Sequence, residues 1–528
     1  MTIVHTTPHD FRNAKLEGLR FAPLEQAVLI GSGSVESPPI PSLFPFNDLV
    51  GSWNADLPPG GSITMEAQAL TDAGWTPWYK LGGWDKSGGR SFGEQKDRAG
   101  RIDVDTLKLD RHATAFRYRI HLAATGARPP RLRLVALTYE DTSHEIAAST
   151  GAVRNGPWTR ELQIQSRSQM EEQAKYKHDI CSPTSLAMVL EFWGKKFSML
   201  KVLKAVQDRK SQLYGNWTLN VAAAANWGLS GYVSRLRGIE ELERQIAQGR
   251  PVVVSIAFAE GELSGAPIRK TKGHLFVVAG FTPKGDVIVY DPAAADRASV
   301  RHVYRREEFE RAWLGAKHGL SYVLGPRFPL EMAVAEPAVD LLHALKKNPP
   351  QSYDDGNRAS QLLYGEKVVA RKAKGNWLLV EAVEQPHWTN GKWTGYPGWV
   401  DAAALTAWAN APEPNAVVRT KRASLKPDEP APAETDFQIS IGTKLRVESS
   451  RGIQARIRLI DGRTARVPAA ALKPLPAGGK SSAQDASVEI ILHAAEEFIG
   501  DIYTWGGLSA VQKIHGWGTD CSGLSHLA

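Results

Sequence analysis

Apolar and polar positions alternate over short runs in the first third of the chain. Ser62–Ala67, Ala115–Leu122 and part of Leu132–Tyr139 show this period, Ala27–Ile30 is a short run apolar throughout, and Gly- and Pro-rich turns separate them. The pattern predicts a β-sandwich over residues 21–150, after an N-terminal tail of residues 1–20. The period then changes. From Cys181, the residues Leu186, Met188, Val189, Leu190 and Phe192 crowd one broad helical face. Pro183 suits the first turn of such a helix, and Gly194 supplies its stop. Helical stretches follow near 198–208, 219–227 and 239–248, and then the continuous apolar strand Pro251–Phe258. Two further buried-strand runs, Gly273–Phe281 and Asp286–Pro292, flank the turn Thr282–Gly285. Helices first and sheet second predict an α+β unit over residues 155–327.

From about Glu331 the runs shorten. Ser360–Ala370, Gly375–Val380 and Gly395–Val400 predict a small all-β barrel at 331–410. A Pro- and charge-rich stretch, 411–436, reads as a linker. A second all-β unit is expected at 437–478. In the last segment, 479–528, Val488–Phe498 reads as an amphipathic helix ahead of a second cysteine, Cys521. The fold class is therefore multidomain, part α+β and part all-β.

Candidate chemistry lies where these elements begin and end. Cys181 opens its helix, where the helix dipole and unpaired backbone N–H groups favour the thiolate. A buried structural cysteine is the plainer reading. Two downstream residues outweigh it. His274 opens one apolar strand and Asp291 closes the next. If the two strands are antiparallel neighbours, both side chains end at one edge of the sheet. A Cys–His–Asp site needs that placement: a base beside the thiol, and an acceptor that holds the imidazole tautomer.

These residues resemble a known family. Cys181-Ser182-Pro183-Thr184-Ser185 with Met188, Gly273-His274 and Tyr290-Asp291-Pro292 are similar to motifs of the papain-like cysteine peptidases of peptidase family thirty-nine. The resemblance covers about residues 163–325 and implies a papain-like α+β fold. It implies Cys181 as nucleophile, His274 as base and Asp291 as its orienting partner. It also implies an upstream glutamine in the oxyanion hole, matched by Gln169, with Gln173 the second candidate. Family members fused to exporters carry a membrane domain and an ATPase. This chain has no long apolar span and no phosphate-binding Gly-rich loop, so it resembles the stand-alone branch. Similar sandwiches accompany that branch.

The barrels at 331–410 and 437–478 resemble bacterial SH3-like barrels. Tyr503-Thr504-Trp505-Gly506-Gly507 and Asp520-Cys521-Ser522-Gly523-Leu524 resemble the start of NlpC-type cell-wall peptidases that carry two such barrels. That resemblance implies Cys521 as a second nucleophile and Tyr503 on its oxyanion side. It implies Asp520 and Ser522 holding a substrate amine, with Glu366 and Tyr396 contributed by the first barrel. The Tyr503-to-Cys521 spacing exceeds that of the compact motif. The histidine base of that family lies on strands well after the cysteine, whereas His526 sits five residues on, along the same helix. The segment is therefore expected to be a truncated, papain-like start, with Ile490, Ile491, Leu492, Phe498 and Ile499 packed on the barrels or exposed.

Composition changes this picture little. The 64 basic and 56 acidic residues leave a net charge of +8, weak support for an anionic partner. No dense basic cluster interleaved with aromatics occurs, which argues against nucleic acid. Two cysteines imply no disulfide framework. No Cys/His cluster has ligand spacing, so no metal or other cofactor is implied. Met1–Phe21 lacks an apolar signal core, which places the chain in the cytoplasm if it starts there and in the cell envelope or outside otherwise. Trp53, Trp75, Trp78 and Trp84 are candidates for a sugar-stacking platform as well as for core packing. The sequence thus points to a bacterial cysteine peptidase acting on peptide or isopeptide bonds of cell-wall-related peptides. The reading from another class is a binder of cell-wall glycan or peptide with vestigial thiol sites.

Overall fold

A computed structural model of the chain describes residues 1–24, 26–146, 155–345, 356–428, 437–475, 488–511 and 518–527; of these, residues 488–490 are described in backbone only. The chain divides into two compact units. One comprises Met1–Val4, Asn13–Phe21 and Ala27–Arg327; the other comprises His5–Arg12, Ala22–Gln26 and Phe328–Ala528. No helix among the described residues is long and apolar enough to cross a membrane.

In the first unit, the N-terminal strands are hydrogen bonded into one branched 13-stranded sheet. The run pattern predicts two sheets. The difference comes from two long strands, Ile40–Asp56 and Thr106–Ala123, of 17 and 18 residues. Register shifts within their pairings let each serve different neighbours along its length. Residues 1–20, expected as a tail, are ordered: Thr2–His5 pairs with Arg131–Glu140, and Lys15–Glu17 pairs with Gly33–Glu36. Trp53 is buried and Trp84 packs against the core, while Arg117 lies over the rings of Trp75 and Trp78 and Arg119 over Trp78.

The α+β part begins with a helix over Cys181–Phe192. Its burial differs from the one-faced expectation, since Ser182 to Leu190 are all buried. Polar side chains on such a helix need partners inside the protein. Ser182 Oγ hydrogen bonds Tyr322 Oη at 3.1 Å, and Ser185 Oγ donates to the Leu275 carbonyl at 3.1 Å. Gly194, with φ of 74°, ends the helix, and the Lys195 N–H reaches back to the Leu190 carbonyl. The helix packs on a six-stranded antiparallel sheet in the order Ser230–Arg235, Leu320–Gly325, Val252–Phe258, Thr271–Phe281, Val287–Tyr290 and Arg301–Tyr304.

The outer edge of Ser230–Arg235 is covered by side chains of the N-terminal sheet. Asn54 donates to the Gly231 carbonyl at 2.8 Å and accepts from its N–H at 3.0 Å. Ser52 Oγ accepts from Val233 N–H, and Thr138 Oγ1 from Arg235 N–H. Asp105, in the turn before Thr106–Ala123, accepts the first N–H of the Trp217–Asn226 helix at 2.6 Å. Burial pushes the Asp105 carboxyl up to about 7 despite these donors.

The second unit holds two seven-stranded antiparallel sheets, spanning Leu330–Ala407 and Ala416–Pro474. Half of the expected linker is part of the second: Ala416–Val418 and Arg422–Pro427 are strands, and residues 429–436 lie outside the described ones. The charged residues that suggested a linker alternate along Arg422–Pro427, where Ala423 and Leu425 point into the core. Phe498, Leu508, Ala510 and Leu527 pack with Leu363 and Ile441, whereas Ile491, Leu492, Ile499, Ile502 and Trp505 are exposed. The Ile490 side chain lies outside the described residues.

Candidate active site

The strands Thr271–Phe281 and Val287–Tyr290 are antiparallel, with Val277 opposite Tyr290. One residue on, Asp291 stands across from Phe276, and His274 lies two residues from Phe276 on the same face. The sheet pleat thus aims both side chains at the start of the cysteine helix. His274 Nε2 hydrogen bonds Asp291 Oδ1 at 2.7 Å, and both residues are buried. This leaves Nδ1 of the ring for Cys181, whose titration is coupled to that of His274. Asp291 is itself held by the Ala293 N–H at 2.9 Å and by the Tyr304 hydroxyl at 2.9 Å. No motif marks Tyr304, whose strand ends in an unremarkable Arg-His-Val-Tyr run.

The electrostatics follow from burial and pairing. Burial alone pushes the Cys181 thiol up. The hydrogen bond and charge of His274, with backbone N–H groups of Leu275 and Ser182, more than reverse this and hold it below its ordinary value. Burial likewise disfavours the imidazolium, but Asp291 and then Cys181 raise His274 to about 10. The Asp291 carboxyl, although buried, stays below the usual range because His274 faces it. All three shifts favour the charged forms of the thiol, the imidazole and the carboxyl. Cys181 is only partly buried, so the thiolate remains open to a reactant.

Gln169 is buried in a short turn whose backbone N–H donates to the Pro292 carbonyl at 2.8 Å, next to Asp291. One N–H of its amide donates to the Lys177 carbonyl at 2.8 Å, and the second remains available. Gln173 lies outside this turn, its carbonyl accepting from Tyr176 and Lys177.

Around Cys521 the arrangement is more open. Cys521 is exposed at the start of Cys521–Leu527, and desolvation, with Cys521 and Asp520 nearby, raises the Tyr503 hydroxyl above its ordinary value. Asp520 accepts from the Gly506 N–H at 3.0 Å, the Gly523 N–H at 2.7 Å and the Ser522 hydroxyl at 2.7 Å. Among the described residues no imidazole hydrogen bonds Cys521, and His526 is exposed on the same short helix. Glu366 is half-buried, accepting from the Leu363 N–H and the Gln385 amide at 2.9 Å each, and desolvation pushes its carboxyl up to about 8. Tyr396 stacks at a tilt on His387, 4.7 Å between ring centres.

Comparison with known proteins finds two family models within the chain. Residues 161–320 match the model of the Peptidase C39 like family, and residues 4–139 match that of the Peptidase C39 N-terminal domain. The chain therefore carries a papain-like cysteine peptidase domain of the C39-like type. It is also 27% identical over 167 residues to the gamma-D-glutamyl-L-lysine dipeptidyl-peptidase of Bacillus subtilis (strain 168), covering 32% of this chain and 51% of that protein. The chain thus spans about half the length of that curated relative. Two solved structures align with it. An NlpC/P60 family protein from Bacillus cereus ATCC 10987 shares 23% identity at a TM-score of 0.31, over 37% of this chain and 70% of that one. NlpC2 from Trichomonas vaginalis shares 16% at 0.14, over 38% and 65%. At such TM-scores neither alignment defines a common fold.

Proposed function

We propose that the protein is a bacterial cysteine peptidase that hydrolyses peptide or isopeptide bonds of cell-wall-related peptides at Cys181. The reading rests on one observation, the buried His274–Asp291 hydrogen bond at 2.7 Å, with His274 acting on Cys181 to favour its thiolate. The Cys181 thiolate attacks the scissile carbonyl and forms a tetrahedral oxyanion. The second Gln169 N–H and the Cys181 backbone N–H stabilise that charge. The imidazolium gives its proton to the leaving amine as the C–N bond breaks, leaving a thioester. His274, now neutral, takes a proton from water, whose oxygen attacks the thioester and releases the acid and the thiolate. Asp291 keeps Nε2 protonated and the ring in plane throughout.

In the second unit we read the two seven-stranded sheets as SH3-like barrels and the segment around Cys521 as an NlpC-type site. There Tyr503 assists Cys521, Asp520 and Ser522 face a substrate amine, and Glu366 and Tyr396 add to that pocket. The likeness to a gamma-D-glutamyl-L-lysine dipeptidyl-peptidase supports a cell-wall peptide as substrate class.

The test is labelling of the full chain with a thiol-directed acyl probe, with the modified cysteine located by mass mapping. Labelling at Cys181 that His274→Ala abolishes is the expected result, together with loss of hydrolysis in Cys181→Ala. Hydrolysis that survives Cys181→Ala but is lost in Cys521→Ala would move the working site to Cys521. Binding to peptidoglycan with no labelling at either thiol would leave the binder as the better reading.

A further inference from the structure

Asp291 is 1% exposed, so its carboxylate has little water to stabilise it and depends on donors within the protein. Three are present. Oδ1 takes His274 Nε2 at 2.7 Å and the Ala293 N–H at 2.9 Å, while Oδ2 takes the Tyr304 hydroxyl at 2.9 Å. Tyr304 is the one donor to Oδ2 among the described residues. It comes from the outermost strand, Arg301–Tyr304, which pairs with Val287–Tyr290. It is itself 1% exposed, and its ring packs on those of Phe276 and His302, at 5.6 Å and 5.8 Å between centres. Packing of this kind fixes the ring, and with it the direction of the hydroxyl. Burial, then Asp291, holds the phenol far above its ordinary value, so it stays a neutral donor across the neutral range. The titratable groups facing Asp291 are thus His274 on one oxygen and Tyr304 on the other, and Cys181 acts on the imidazole in turn.

A buried carboxylate with one free oxygen can turn about its Cβ–Cγ bond and offer either oxygen to the imidazole. A donor on Oδ2 removes that freedom and favours the ionised carboxyl. We propose that Tyr304 is a positioning residue of the Cys181 site: its hydroxyl holds Asp291 Oδ2, so that Oδ1 stays turned to His274 Nε2 and the carboxylate keeps its charge. Buried as it is, Tyr304 acts only through Asp291. This role rests on the reading of Cys181 as nucleophile and His274 as its base.

Alkylation of Cys181 by iodoacetamide, followed across pH in the full chain by mass mapping, tests this. Tyr304→Phe keeps the ring and its packing and removes the donor. Losing a donor to the charged form raises the Asp291 carboxyl, so on lowering the pH the imidazolium loses its partner earlier. The acid limb of the profile should therefore move to higher pH, by roughly half to one unit. In Asp291→Asn the titrating carboxyl is gone, and adding Tyr304→Phe to it should shift the limb no further. Two results overturn the role of Tyr304. One is a limb that Tyr304→Phe leaves in place. The other is a shift of equal size in the Asp291→Asn background, which would show that Tyr304 acts through packing alone. The underlying reading fails differently. A profile that His274→Ala leaves unmoved overturns Cys181 as nucleophile, whereas one that moves in His274→Ala and not in Tyr304→Phe overturns only the role of Tyr304.

Discussion

At the scale of single residues, the site is a balance between burial and pairing, and titration exposes it. His274 is raised to about 10 and Cys181 is lowered. The thiolate–imidazolium pair should therefore persist from below the ordinary thiol range up to near pH 10. Iodoacetamide alkylation of Cys181 should rise through a pH below 9, and hydrolysis should fall again as the imidazolium discharges near pH 10. In His274→Ala the largest group favouring the thiolate is lost, and alkylation should shift to higher pH. An unshifted profile would remove the ion pair. The linkage to stability has opposite signs at the two ends. The His274 contribution is complete below about 6.5 and is lost as pH rises through about 10. Those of Cys181 and Asp291, whose values are depressed, are lost as pH falls through their folded values. Gln169 allows a separate test, since alkylation forms no oxyanion. Gln169→Ala should lower kcat roughly a hundredfold while the alkylation rate holds. Equal losses in both would make Gln169 a brace for the Lys177 carbonyl alone.

At the scale of elements, the edge strand Ser230–Arg235 depends on residues far away in sequence. Asn54 imitates a neighbouring strand by giving Gly231 one donor and one acceptor. Asn54→Leu keeps the volume and leaves both backbone groups buried and unpaired, which should cost about 2–4 kcal/mol in chemical denaturation. Hydrogen exchange at Gly231 should accelerate first. Unchanged exchange there would mean that the edge is satisfied some other way. None of this shows in the run pattern. Asn54, Ser52 and Thr138 occupy positions that alternation assigns to a solvent face, because it distinguishes polar from apolar and not water from a second strand. The signals around Cys181, His274 and Asp291 are of the other kind. A helix start and two strand ends are local features, and a four-residue turn leaves only one way to pair the strands. Residues 411–428 fail for a third reason. Pro and charge suggest a linker, yet Ala423 and Leu425 alternate with polar neighbours on a short strand that composition masks.

At the scale of the whole molecule, the N-terminal sheet and the peptidase domain share one compact unit, joined by polar groups that neither can leave unpaired. Asp48 and Arg235 are both about 5% exposed in side chain, so each is a buried charge without the other. Thr218 donates to the Gly51 carbonyl at 2.6 Å, and Asp208 accepts the Ser91 N–H at 2.9 Å. Such a joint makes separate unfolding costly, because opening it exposes a capped helix, an edge strand and an unpaired guanidinium together. Removing one partner of a buried pair costs about 3–5 kcal/mol. Asp48→Ala in the full chain should therefore lower protection in the strand Arg131–Glu140 and in the Cys181–Phe192 helix by similar factors, as members of one cooperative unit. Hydrogen exchange followed by mass spectrometry reads both segments in one experiment. Lost protection confined to the N-terminal sheet, with the cysteine helix as slow as before, would show two domains that merely touch. The peptidase domain would then be expected to fold alone.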